Sequence, residues 1–100
     1  LDASLGDDPG AGLLVGVPNP FNPATPLHYA LPDAGSVELA IYGSLGQRVR
    51  VLVDGVQAAG PHVVEWDGRD DRGQAVASGV YLARLHTNEM RQVRRLLLLR

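Results

Sequence analysis

Apolar residues fall in short runs along most of this chain, and within the runs they alternate with polar positions at a period of two, not 3.6. Ser36 to Tyr42 is the cleanest run: Val37, Leu39 and Ile41 share one face, Ser36, Glu38 and Ala40 the other, as in a strand with one face in a core. Thr25 to Leu31 repeats the pattern with Leu27, Tyr29 and Leu31, and Pro32-Asp33-Ala34-Gly35 ends it with turn residues. Gln47 to Val53 sets Val49, Val51 and Val53 against Arg48 and Arg50, and the turn Gly43-Ser44-Leu45-Gly46 joins it to the preceding strand as a hairpin. Pro61 to Asp67 places Val64 and Trp66 opposite Glu65, which makes Trp66 the largest core candidate, with an indole N–H that needs an acceptor. Gly68 to Gly73 reads as a polar turn. Gly79 to His86 then points Tyr81, Ala83 and Leu85 inward and Arg84 outward, and Thr87-Asn88-Glu89 leads into a last segment, Met90 to Arg100.

Turn signals recur at roughly 8–12 residue spacing, which predicts an all-β sandwich. A first apolar run, Leu13 to Val17, precedes Pro18-Asn19-Pro20-Phe21-Asn22-Pro23. The prolines there remove backbone donors and keep that stretch out of a central strand. Residues 1–12, LDASLGDDPGAG, have the composition of a flexible linker. The sandwich is therefore expected over residues 13–100, with residues 1–12 as a tether.

The final segment departs from alternation. Leu96 to Leu99 is apolar at every position, and Arg91, Arg94, Arg95 and Arg100 bracket it. A strand apolar on both faces is either covered on both or keeps one for a partner. Val93, Arg94, Arg95, Leu96, Leu98 and Arg100 are accordingly the candidate partner-binding residues.

Composition narrows the function classes. A chain of 100 residues is one domain, with no second lobe to form a cleft. The formal charge of −2 and aromatics not interleaved with a basic stripe argue against nucleic acid. Cysteine is absent, which removes disulfides, thiolate metal sites and thiol nucleophiles. No run approaches the ~18–20 apolar residues of a transmembrane helix, and no basic, apolar leader begins the chain, so a mature fragment or excised terminal domain is expected. All nine basic residues are Arg. Without Lys, a Lys-to-Asn isopeptide cross-link has no nucleophile.

Little here points to catalysis or a cofactor. Asp67, Asp70 and Asp71 offer oxygen ligands for Ca²⁺, but their spacing is not that of an EF-hand loop, and an Asx-type turn is the expected role. His28, His62 and His86 lie on three different strands without metal-ligand spacing and read as surface residues. No Gly-x-Ser-x-Gly elbow occurs, and Gly6, Gly10, Gly12 and Gly16 match no phosphate-loop spacing. The expectation is a protein that is not an enzyme, with no cofactor and no metal.

An ordered set of motifs adds to this reading: Pro18 to Pro23, Gly43-Ser44-Leu45-Gly46 after Ile41-Tyr42, Ala59-Gly60-Pro61-His62, Trp66-Asp67-Gly68-Arg69-Asp70, Gly73, and Ser78-Gly79-Val80-Tyr81 before a basic, apolar end. Over residues 18–100 the chain resembles the C-terminal sorting domains of proteins exported by the type IX secretion system, and the related Ig-like domain of the flagellar hook-capping protein. The resemblance implies an Ig-like antiparallel β-sandwich of about seven strands, in which Pro18, Asn19, Pro20, Phe21, Asn22, Pro23, Trp66, Asp67, Gly68, Gly79 and Tyr81 are the structural motif. It also implies the last domain of a larger secreted bacterial protein, which engages an outer-membrane secretion translocon and is secreted or held at the cell surface by way of the periplasm. Members often carry Lys near the end, where this chain has Arg94 and Arg95, and Tyr-Asp at the hairpin turn, where it has Tyr42-Gly43.

Two other readings stay open. Asp2, Asp7 and Asp8 at one end and Arg91, Arg94, Arg95 and Arg100 at the other suit a self-associating subunit of an extracellular appendage. A carbohydrate-binding module is the third reading, and it needs an exposed aromatic platform.

Overall fold

The computed structural model of the chain describes residues 12–15 and 24–99. Pro18 to Pro23, Arg100 and all of the 1–12 linker except Gly12 lie outside the described residues. Seven strands are described: β1 (Gly12–Val15), β2 (Thr25–Leu31), β3 (Gly35–Gly43), β4 (Arg48–Gln57), β5 (Gly60–Trp66), β6 (Gly79–Thr87) and β7 (Arg91–Leu98). They form a three-stranded sheet in the order β1-β2-β5 and a four-stranded sheet in the order β4-β3-β6-β7. Every pairing is antiparallel. The hairpins β3–β4 and β6–β7 stay within the larger sheet, whereas the connections after β2, β4 and β5 cross between sheets, the Ig-like arrangement.

The expected alternation builds the core. Leu27, Tyr29 and Leu31 of β2 and Trp66 of β5 face Val37, Leu39 and Ile41 of β3, Ala83 and Leu85 of β6, and Leu96 and Leu98 of β7. Trp66 is fully buried. Its indole N–H donates to the carbonyl of Arg69 at 2.9 Å, the acceptor the sequence calls for. Gly46 closes the β3–β4 turn with φ +93°, a left-handed conformation that side chains resist. Its N–H donates to the Gly43 carbonyl at 2.9 Å.

Strand β4 corrects the simple alternation of Val49, Val51 and Val53. Leu39 pairs with Val53 but Ala40 with Val51, and Ile41 pairs with Arg50 but Tyr42 with Arg48. One extra residue therefore bulges at Leu52 and another at Val49, each resetting which side the strand presents. Val49 is buried, Leu52 and Val53 pack on the core, and Val51 instead lies opposite Ala40. The strand also runs on through Asp54-Gly55 to Gln57, although those residues have turn composition.

Candidate interaction surface

The β6–β7 hairpin fixes the register of the terminal strand. Thr87 Oγ1 accepts from the N–H groups of Glu89 and Met90 at 3.1 and 3.0 Å, and the Thr87 N–H donates to the Met90 carbonyl at 2.8 Å. From this turn the ladder runs His86 with Arg91, Arg84 with Val93, Leu82 with Arg95 and Val80 with Leu97. Leu96 and Leu98 enter the core, so Gln92 and Arg94 share the inward face while Arg91, Val93, Arg95 and Leu97 point outward. On the outer face of the hairpin Leu97 is 46% exposed and lies opposite Val80, 42% exposed, while Val93, 47% exposed, lies four residues back along β7 beyond Arg95.

The guanidinium groups on this face differ in their engagement. Arg84 is tied down: it reaches Glu38 Oε1 at 3.1 Å and lies 4.9 Å from the Tyr42 ring centroid. Arg91 and Arg95 are exposed, and their guanidinium groups make no hydrogen bond or ion pair among the described residues. Arg94 takes the opposite course. It is half-buried on the core side, where one terminal nitrogen donates to the Val93 carbonyl at 3.0 Å and its Nε is buried without a partner among the described residues.

The predicted partner-binding set is thus divided. Val93 and Arg95 are presented outward, Leu96 and Leu98 belong to the core, Arg94 turns inward, and Arg100 lies outside the described residues. Sequence reasoning omitted Val80, Leu82, Arg91 and Leu97 from this surface. The signal that finds them is cross-strand register, in which Val80 meets Leu97.

The Asp cluster serves the fold. Asp67 Oδ1 accepts from the Arg69 N–H at 3.1 Å, and Asp70 Oδ1 accepts from the N–H groups of Arg72 and Gln74, both at 2.9 Å. Asp71 docks the loop on the edge of β4: its N–H donates to the Val49 carbonyl at 2.9 Å, and its Oδ1 accepts from the Val51 N–H at 3.1 Å. Arg50 reaches Asp67 at 3.2 Å and Arg48 reaches Asp71 at 3.9 Å. Among the described residues, no group of three His, Cys, Asp or Glu side chains is placed to hold a metal ion. Gly68, at φ +75°, accepts the Val76 N–H at 3.0 Å. Tyr81 meets Trp66 edge-on at 5.2 Å and donates to the Ala77 carbonyl at 2.6 Å, so the motif residues Trp66, Asp67, Gly68 and Tyr81 knit this loop to the core.

Of the histidines, His28 is exposed and His86 half-buried, but His62 departs from the surface reading. It stacks on Tyr29 at 5.1 Å, with Nε2 2.8 Å from the Ala58 carbonyl. Tyr29 donates its hydroxyl to Gln57 Oε1, and burial raises its phenol above the ordinary value. With Trp66 and Tyr29 buried and Tyr42 beneath Arg84, these three do not form the aromatic platform a carbohydrate reading needs.

A sequence profile described as the FlgD Ig-like domain matches residues 24–89, two thirds of the chain, from the first residue of the main described segment to the β6–β7 turn. The chain belongs to the FlgD Ig-like domain family. This is a family of non-enzymatic structural domains. Among solved structures, FlgD from P. aeruginosa is similar at 23% identity and a TM-score of 0.61, over 88% of this chain and 74% of that one. PorZ of Porphyromonas gingivalis, described as an essential bacterial surface component of the type IX secretion system, is similar at 17% identity and a TM-score of 0.54. That match covers 92% of this chain but 12% of PorZ, so this FlgD-type domain corresponds to a small part of that protein. Comparison with curated proteins finds no match. Among the described residues, no helix is long and apolar enough to cross a membrane.

Proposed function

We propose that this FlgD-type Ig domain is the sorting and surface-attachment module of a larger exported bacterial protein, joined through residues 1–12 to an upstream cargo domain and recognised by an outer-membrane secretion translocon. The observation that carries the reading is the outer face of the β6–β7 hairpin. There a strand needed for the core also displays Val93 and Leu97, together with two guanidinium groups that nothing among the described residues engages. Core packing alone does not call for exposed apolar side chains, or for guanidinium groups unengaged among the described residues, on the solvent side of a terminal strand. The likeness to a domain-sized part of PorZ fits an envelope setting, with a route through the periplasm to the cell surface or the medium.

The test is a fluorescent cargo carrying an inner-membrane export leader and fused before Leu1, expressed in a host with a type IX system and in the same host lacking its translocon. Delivery to the surface or medium in the first and periplasmic retention in the second is the expected result. Retention in both hosts refutes sorting and leaves a structural Ig-like module. A self-associating appendage subunit is the second reading, favoured by Asp2, Asp7 and Asp8 near the start of the sequence and the exposed Arg91 and Arg95 near its end. Its signature is light scattering that falls as salt screens end-to-end contacts, and a monomer at low salt removes it.

A further inference from the structure

We infer that the outer face of the β6–β7 hairpin docks an acidic, extended segment of a protein partner, one that carries two carboxylates flanking an apolar residue; this rests on the interaction role proposed above. Arg91, Val93 and Arg95 lie on one side of β7, and the two guanidinium groups start about 13 Å apart, four residues at roughly 3.3 Å each. Between them, Val93 is half exposed, and beyond Arg95 the cross-strand pair Leu97 and Val80 adds further apolar surface. An extended partner with acidic residues at its first and fifth positions and an apolar residue at its third repeats this spacing in complementary form. Each carboxylate meets a guanidinium, and the central side chain covers Val93.

Charge on the rest of the sheet sets the direction of docking. Glu38 of β3 lies opposite Asp54 of β4, and Arg84 neutralises Glu38 from β6. The sheet's outer face therefore carries unopposed basic side chains along β7, while Glu38 is offset by Arg84 and β4 carries both signs, Arg48 and Asp54. An acidic segment running along β7 meets Arg91 and Arg95 in turn, whereas one crossing the sheet leaves one of the two guanidinium groups behind and approaches Asp54. Tethering of Arg84 by Glu38 and Tyr42 leaves Arg91 and Arg95 as the groups that select the partner. Tolerance of the fold to their replacement follows from exposure, since neither contributes to the core.

The test uses the full chain and three probes: a labelled peptide with two repeats of Glu-Ser-Val-Ser-Glu, a peptide of the same composition with the glutamates adjacent, and phosphatidylglycerol vesicles. Anisotropy should show the spaced peptide binding roughly tenfold more tightly than the rearranged one, with the preference lost in Arg95→Glu and in Val93→Ser. Arg72→Glu, an exposed Arg on the loop after β5, should leave binding unchanged. Equal binding of the two peptides, equal loss in Arg72→Glu, or capture by vesicles with no peptide binding each overturns the inference. The peptide arms require no secretion host, so a failed delivery test with peptide preference intact refutes the sorting role alone.

Discussion

Leu97 and Leu98 are adjacent and chemically identical, yet the fold gives them opposite tasks. Leu98 has no exposed surface and sits in the core, while Leu97 is 46% exposed on the outer face. Across the strand Leu98 faces Gly79, which has no side chain to move into vacated space. Leu98→Ala therefore leaves most of its cavity unfilled, at a cost of about 3 kcal/mol or more. A domain of this size has a total stability of roughly 5–15 kcal/mol, and each kcal/mol moves Tm by roughly 4–8 °C, so a fall of about 12–24 °C is expected. Leu97→Ala removes mostly solvated surface and should cost less than about 1 kcal/mol, or under about 8 °C. Trp66 is the single tryptophan and fully buried, so its fluorescence reports global melting of each variant. A larger fall for Leu97→Ala than for Leu98→Ala would mean that β7 is paired one residue out of register, which exchanges its two faces and refutes the assignment of the docking surface.

Asp71→Ala removes the carboxylate that accepts the Val51 N–H and steadies the loop along β4, at a cost of about 1 kcal/mol. It also uncovers a sheet edge, so size-exclusion chromatography with light scattering should show concentration-dependent association, and a variant that stays monomeric at every concentration contradicts the edge-guarding role. Tyr29→Phe addresses alkaline stability. Because burial raises the phenol in the folded state, the native protein holds this proton more tightly than the unfolded chain; its contribution is complete below about pH 10 and is lost as pH rises toward the folded value. The variant should lose less stability than the parent when denaturant melts are compared between neutral and strongly alkaline pH, and an identical decline refutes the assignment.

Alternation made β2, β3, β5 and β6 legible because each buries one regular face of residues two apart. It failed on β4 for a specific reason: the bulges at Val49 and Leu52 change the parity of the strand, and no residue type at those positions announces an extra residue. It was silent on β7, where four successive leucines make both faces look alike. Only pairing with β6 separates Leu96 and Leu98 from Leu97, and the same pairing places Arg94 inward against the usual preference of a guanidinium for solvent. His62 shows the converse, a polar ring on the core side made tolerable by stacking on Tyr29 and by the Ala58 carbonyl. The Asp67–Asp71 turn was read correctly in kind, while the docking of Asp71 on β4 spans twenty residues and leaves no local trace.

Removing the last eight residues would strip Leu96 and Leu98 from the core and confuse unfolding with loss of a signal. The most direct measurement instead compares surface delivery of the fluorescent cargo by the intact domain and by Val93→Ser/Arg95→Glu/Leu97→Ser, with Trp66 melting confirming that both fold. Delivery lost in a variant that keeps its melting transition is the predicted result. Undiminished delivery by that folded variant would contradict the claim that the outward face of the β6–β7 hairpin is what the secretion machinery reads.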